Sequence, residues 1–183
     1  MMNEIILIGG GGHCKSVIDV IEQEGRFTIA GIVDKPELFG TDILGHKIIA
    51  NDSELKELAK NYQYALVTVG QIKSSFNRLK LYDLALKSGF ILPSIISPSS
   101  YISRHSSIGN GVVIMHSVVI NSDTIVGNNC IINSKALIEH DCQISHHCHI
   151  STNATINGGV IVESDSFIGS GAIITESARV QKG

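Results

Sequence analysis

The hydrophobic positions of this chain follow two rules, and the second half of the chain obeys the stricter one. From Ile96 to Val180 every sixth residue is Ile or Val: Ile96, Ile102, Ile108, Ile114, Ile120, Val126, Ile132, Ile138, Ile144, Ile150, Ile156, Val162, Ile168, Ile174 and Val180. Two places earlier stands a small or slim residue, as at Val112, Val118, Thr124, Cys130, Ala136, Cys142, Cys148, Ala154, Val160, Ser166, Ala172 and Ala178. A helix repeats at about 3.6 residues and a simple strand at about 2, so an unbroken period of six fits neither. A unit that short buries nothing alone and must stack on copies of itself. The pattern predicts a parallel β-helix shaped as a three-sided prism, each hexapeptide supplying one face and one corner. Three hexapeptides make a coil, so residues three repeats apart, such as Cys130 and Cys148, stand above one another. The Ile/Val column fills the interior and the slim column lets the corners close. Gly109, Asn121, Gly127, Asn133, Asn157 and Gly169 follow the column at the corners, where backbone freedom or tolerance of left-handed backbone helps. Coils about 4.8 Å apart give about five coils and a height of roughly 24 Å. The competing reading, independent strands in a sandwich, does not hold one period over so many repeats.

Before Pro93 the pattern is that of an α/β unit. Glu4 to Ile8 reads as a buried strand, Gly9-Gly10-Gly11-Gly12-His13 as a tight loop, and Cys14 to Glu24 as a helix stopped by Gly25. Phe27 to Val33 is a second strand, ending in Asp34-Lys35-Pro36. Ile48-Ile49 reads as a short strand, Ser53 as the cap of a helix over Glu54 to Lys60, and Tyr64 to Val69 as a buried strand opening into Gly70-Gln71. Phe76 to Lys87 reads as a helix with Leu79, Tyr82 and Leu86 on one side, and Gly89 ends it. The expected domains are therefore 1–93, Rossmann-like, and 94–183, the prism.

Composition narrows the partners. A net charge near −3 gives no electrostatic reason to expect nucleic acid or an anionic membrane. No apolar run approaches the roughly 20 residues that span a bilayer, and Met1 to Ile8 lacks the basic region of a signal peptide. The chain is expected in the cytoplasm, where its four cysteines remain thiols packed in the fold, although Cys130 and Cys148 lie within disulfide reach.

Two stretches carry chemistry. A glycine loop between strand and helix presents backbone N–H groups and a helix N-terminus to a phosphate, with His13 and Lys15 beside it. The dinucleotide fingerprint is not met: Cys14 or Lys15 falls where its third glycine belongs. A mononucleotide suits a unit of this size better, with Asp34 placed for a ribose or base. The second stretch is Glu139-His140-Asp141, followed by His146, His147 and His149, all outside the inward columns. His105, His116 and His147 read as solvated corner residues. His140 between two carboxylates has its imidazolium favoured and suits a general base. Zinc on His140, His146 and His149 is the rival reading, but their spacing does not align the rings along the prism axis, and no metal is expected.

The loop I-G-G-G-G-H-C-K-S-V-I-D-V-I, from Ile8, and the segment I-E-H-D-C-Q-I, from Ile138, together with the hexapeptide pattern, resemble the bacterial amino-sugar N-acetyltransferases and their sialic-acid O-acetyltransferase relatives. The resemblance covers the whole chain. It implies that the prism is a left-handed β-helix and that the N-terminal domain binds a nucleotide-sugar. It implies phosphate contacts from Gly11, Gly12 and His13, nucleoside contacts from Asp34 and Lys35, and further substrate contacts from Gly70 and Arg78. It makes His140 the general base, Asp141 the acid that strengthens it and Asn133 an assisting residue, and it puts His149, Gly158 and Ser170 along the acetyl-CoA groove. That groove lies between neighbouring β-helices, so a homotrimer is expected. Relatives usually run on to a final coil and a Gly-x-Pro-Ala tail, whereas this chain stops at Gly183, so the end that would help hold coenzyme A is expected to be missing. The implied activity is N-acetylation of a nucleotide-linked amino-deoxy sugar. The alternatives are O-acetylation of a sialic acid and a non-catalytic β-helix binding protein.

Overall fold

The computed structural model describes residues 2–72 and 74–182. Met1, Lys73 within the expected 71–77 loop, and Gly183 lie outside the described residues. The chain divides into two compact units, one of Met1–Gly70 with Phe76–Pro93, the other of Gln71–Ser75 with Ser94–Gly183.

The first unit runs β1 (Asn3–Ile8), α1 (Gly12–Glu24), β2 (Phe27–Val33), β3 (Asp42–Ile43), β4 (His46–Ala50), α2 (Leu55–Leu58), β5 (Tyr64–Val67) and α3 (Phe76–Ser88). Its sheet has the order β3-β4-β2-β1-β5, parallel except for β3 against β4. Ile5, Ile6, Leu7 and Ile8 are fully buried, as a central parallel strand covered on both faces requires. The chain moves outward from β1 through β2 to β4, then crosses to β5 on the other side. That reversal leaves a crevice at the C-terminal ends of β1 and β5, where open α/β sheets bind ligands. α1 stops at Gly25, whose φ of 70° lets its N–H return to the Ile21 carbonyl.

Three local expectations are corrected. The cap before α2 is Asn51, not Ser53: the Asn51 side chain accepts from the Ser53 N–H while Glu54 returns to the Asn51 N–H, a capping box. The helical part proper is only Leu55–Leu58, after a 3₁₀ turn over Asp52–Glu54. α3 buries Arg78, Tyr82 and Ala85, and Leu86 is 48% exposed, because Arg78 finds carbonyl partners inside.

The second unit is the predicted prism. Its first face stacks Ile95–Ile96, Val113–Ile114, Ile131–Ile132, His149–Ile150 and Phe167–Ile168. The second stacks Tyr101–Ile102, Val119–Ile120, Leu137–Ile138, Thr155–Ile156 and Ile173–Ile174. The third stacks Ser107–Ile108, Ile125–Val126, Gln143–Ile144, Ile161–Val162 and Arg179–Val180. All pairs are parallel and in register, for example Ile120 with Ile138 and Ile138 with Ile156. The column from Ile114 to Ile156 is buried, each side chain contributing about 1.5–3 kcal/mol through removal from water. The slim column does more than pack. Thr124 Oγ1 donates to the Glu139 carbonyl at 2.7 Å, and the thiols of Cys130, Cys142 and Cys148 donate to the carbonyls of Ser145, Asn157 and Glu163 at 3.1 Å. All four cysteines are free thiols.

The corners differ from expectation in one respect. Left-handed backbone falls three residues after the inward Ile or Val, at Ser117, Asp123, Asn129, Lys135, Asp141, His147, Asn153, Asp165 and Ser177 and at Gly111, Gly159 and Gly171. It does not fall on Gly109, Gly127 or Gly169, whose φ values lie outside that region. Gly109 and Gly127 are needed for a different reason: a Cβ on either would meet the backbone of the next coil at 2.8 Å.

Candidate active site

The corner after the second face carries Glu139, His140 and Asp141. Asp141 has φ 61°, and its N–H donates to the Ser122 carbonyl of the preceding coil. This bend brings its carboxylate to 2.7 Å from His140 Nδ1. A carboxylate only accepts, so Nδ1 carries a proton, and in the neutral ring Nε2 holds the lone pair. One coil on, Gly158 lies against the ring: a Cβ there would come within 2.8 Å of His140 Cε1 and 3.0 Å of Nε2. Glu139 is held by Asn121 Nδ2 at 2.8 Å. Glu139, His140, Asp141, Asn157, Gly158, Gly159, Glu176 and Ser177 line an open depression of about 530 Å³. The His140 pKa is raised, first by the hydrogen bond to Asp141 and further by the charges of Asp141 and Glu139, with desolvation opposing.

A second cluster lies at the corner between the first and second faces. His149, 6% exposed, places Nδ1 on the Gln71 carbonyl and Nε2 at 3.3 Å from Asn133 Nδ2. Phe167 meets its ring edge-on at 5.2 Å. Ser170 pairs with Ser151 at 2.9 Å nearby on the same edge. Within one chain, then, the expected residues fall into two groups. His140, Asp141 and Gly158 are together, and Asn133 is with His149 at the preceding corner. Asn133 and His140 stand at different corners of the same chain.

In the first unit the glycine loop sits at the C-terminal edge of the sheet. Gly9 has φ 105°, and a Cβ there would overlap Val69 at 2.3 Å. The Gly10 N–H donates to Asp34 Oδ2, and the Lys35 N–H to Asp34 Oδ1 at 2.7 Å, so Asp34 braces the loop. Gly11 is the N-cap of α1 without a side-chain cap, and the first turn holds no acidic residue. Its N–H groups thus favour an anion. Gly11 and Gly12 have open space where a Cβ would stand, and a Cβ on Gly70 would lie 3.5 Å from His13 Cβ. Arg78, expected to contact substrate, is instead wholly buried and donates to the Val67 and Val69 carbonyls at 2.8 and 2.9 Å. Burial of a guanidinium needs such partners, and they tie Arg78 to the end of β5. Cys14, first in the helix interior, has its thiol pushed up to about 11 by burial.

Two residues of these sites escaped sequence reasoning. Glu176 was findable, since it stands two coils from His140 in the same column as Gly158. The contacts of Gln71 were not, because nothing in the sequence pairs a loop residue with His147 and His149. Among the described residues, no group of three or more His, Cys, Asp or Glu is placed to hold a metal, and no helix is long and apolar enough to cross a membrane.

Residues 4–83 match the family described as the PglD N-terminal domain, and residues 105–140 match the bacterial transferase hexapeptide (six repeats). A search of curated proteins by sequence found no match. Among solved structures, the chain is similar to a histidine-to-alanine mutant of GDP-perosamine N-acetyltransferase from Caulobacter crescentus, in complex with CoA and GDP-perosamine. The two are 28% identical with a TM-score of 0.84, over 98% of this chain and 92% of that one. It is similar to the acetyltransferase domain of PglB from Neisseria gonorrhoeae, in complex with acetyl coenzyme A, at 27% identity and a TM-score of 0.88, over 98% and 85% of the two chains. WeeI from Acinetobacter baumannii shares the fold at 20% identity and a TM-score of 0.72, over 98% and 94%.

Proposed function

Since this chain belongs to the hexapeptide-repeat acetyltransferases, built on their left-handed β-helix behind a PglD-type domain, we propose that it N-acetylates the amino group of a nucleotide-linked amino-deoxy sugar. Acetyl-CoA is the acyl donor. The observation that carries the proposal is the His140–Asp141 pair, its Nε2 beside Gly158 at a depression rimmed by Glu139, Asp141 and Glu176.

The amine attacks the thioester carbonyl. A C–N bond forms, the C–S bond breaks, and coenzyme A leaves as a thiolate that takes up a proton. The amine must shed a proton in the course of the attack, and His140 Nε2 receives it while Nδ1–H stays on Asp141. Three carboxylates about the depression favour a cationic amino sugar and oppose an anionic sialic acid. At the other site, the glycine loop of Gly11, Gly12 and His13 takes the diphosphate, with Asp34 and Lys35 on the nucleoside side and Gly70 keeping the crevice open.

The catalytic set is completed by a second copy of the chain. The second face points Tyr101, Val119, Leu137, Thr155 and Ile173 outward, with Tyr101 60% and Ile173 69% exposed. Packing three such faces about a threefold axis sets the His140 corner of one copy against the Asn133–His149 corner of the next. In that groove His149, Gly158 and Ser170 line the path for acetyl-CoA. Four free thiols suit a reducing cytoplasm, where acetyl-CoA is at hand.

The test is release of CoA thiol with GDP- and UDP-linked 4-amino sugars, against free and CMP-linked sialic acid. Turnover of an amino sugar with an N-acetyl product supports the proposal. Turnover of sialic acid alone, or no acetyl-CoA binding by calorimetry, overturns it.

A further inference from the structure

Gln71 is 2% exposed, and its segment, Gln71–Ser75, groups with the prism. It makes two contacts on either side of Cys148. Its side-chain amide donates to the His147 carbonyl at 2.9 Å, and its own carbonyl accepts from His149 Nδ1. Because a backbone carbonyl cannot donate, the proton of His149 resides on Nδ1.

The other ring nitrogen is fixed just as firmly. Asn133 Oδ1 accepts from the Ser134 N–H at 2.8 Å, which turns Asn133 Nδ2 toward His149 Nε2 at 3.3 Å. An amide donor there requires an acceptor, so Nε2 presents a lone pair. A third feature argues that Gln71 is not kept for stability alone. Its Oε1 is buried with no hydrogen-bond partner among the described residues, a cost that a purely structural apolar residue would avoid.

We propose that Gln71 is a positioning residue. By holding 147–149 through one amide and one carbonyl, it sets His149 as the neutral Nδ1–H tautomer, whose single Nε2 lone pair accepts from Asn133. An amide or hydroxyl donor of the pantetheine arm takes that lone pair by displacing the Asn133 amide, and no His149 N–H is aimed at the thioester carbonyl. The ligand part of this rests on the reading of His149 as a residue of the acetyl-CoA groove; the tautomer does not.

The experiment is a long-range proton–nitrogen correlation on the full chain labelled in histidine, with the His149 signals assigned by their loss in His149→Gln. The wild type is expected to show the Nδ1–H pattern for His149. Gln71→Ala is expected to mix the tautomers and to raise KM for acetyl-CoA about tenfold with kcat within about threefold. An Nε2–H pattern in the wild type overturns the proposal, and this measurement needs no variant at residue 71 to fold. Unchanged His149 signals in Gln71→Ala overturn it as well. Altered signals with an unaltered KM for acetyl-CoA uphold Gln71 as the residue that sets the tautomer and remove His149 from the donor groove.

Discussion

His140 and His146 occupy the same place in successive repeats, two residues after an inward isoleucine, and do opposite things. His146 Nδ1 accepts from the backbone N–H of Asn128 at 2.9 Å, one coil back, as Asn128 does from Asn110. It is a rung in a ladder of side chains that closes the corner after the third face. His140 is used differently: its ring turns to the residue after it, Asp141, and lies against Gly158. The repeat therefore supplies a default structural use for a corner histidine. Two neighbours, the acid that follows it at the left-handed position and the glycine one coil on, release His140 from it.

The largest effect should separate the two corners outright. His140→Ala is expected to lower turnover at least about a hundredfold, the scale of a lost general base, with an unchanged melting curve. His146→Ala is expected to leave turnover within about threefold. Equal losses in steady-state assays would erase the distinction.

The two glycines sharpen it. The three atoms nearest a methyl at Gly158 all belong to the His140 ring, whereas those nearest one at Gly127 are His146 N and Ser145 C of the backbone and His146 Nδ1, all at 2.8 Å. Gly158→Ala should push the ring off Asp141 and cost roughly tenfold in kcat with little loss of stability. Gly127→Ala should cost about 1–3 kcal/mol in denaturant unfolding, the usual scale of overpacking. A Gly158→Ala enzyme at full rate would show that the ring's contact with Asp141 is dispensable.

Titration tests the acid. His140 has its pKa raised by the hydrogen bond to Asp141, so the imidazolium persists above its ordinary range and the base appears only as pH rises through the shifted value. The kcat/KM profile should climb with pH and level off. Asp141→Asn removes the charge but keeps a side chain tolerated at positive φ. Its limb should move toward lower pH while the plateau falls. A limb at the same pH in both enzymes would assign the titration to another group.

How legible all this was depended on how many residues shared a constraint. The prism was readable because Ile114, Ile132 and Ile138 answer to one demand, to fill an interior, and repeat it without exception. The left-handed position was not readable because its occupants, mostly short and polar from Ser117 to Asp165, are broken by Lys135 and His147 and resemble the other polar residues of the corners. The burial of Arg78 was not readable because its partners, the Val67 and Val69 carbonyls, come from a neighbouring strand end that no helical wheel shows. The pair His140–Asp141 was visible as adjacent residues. The separation of Asn133 from His140 was not, since a distance of seven residues means opposite ends of a face only once the corners are fixed.

The smallest effect concerns those corners. Lys135 sits at φ 62° with its N–H on the His116 carbonyl at 2.9 Å, in the same turn geometry as Asp141 but at the corner that carries Asn133. A lysine gains nothing from a left-handed backbone, whereas asparagine adopts it readily. Lys135→Asn should therefore stabilise the chain by about 0.5–1 kcal/mol, read as a higher melting temperature. The same backbone geometry at residue 141 has been filled by the acid the base requires. If Lys135→Asn instead lowered the melting temperature, the lysine side chain would have a structural role of its own. The positive φ would then no longer explain why a short polar residue recurs there, and the choice of aspartate at 141 would rest on chemistry alone.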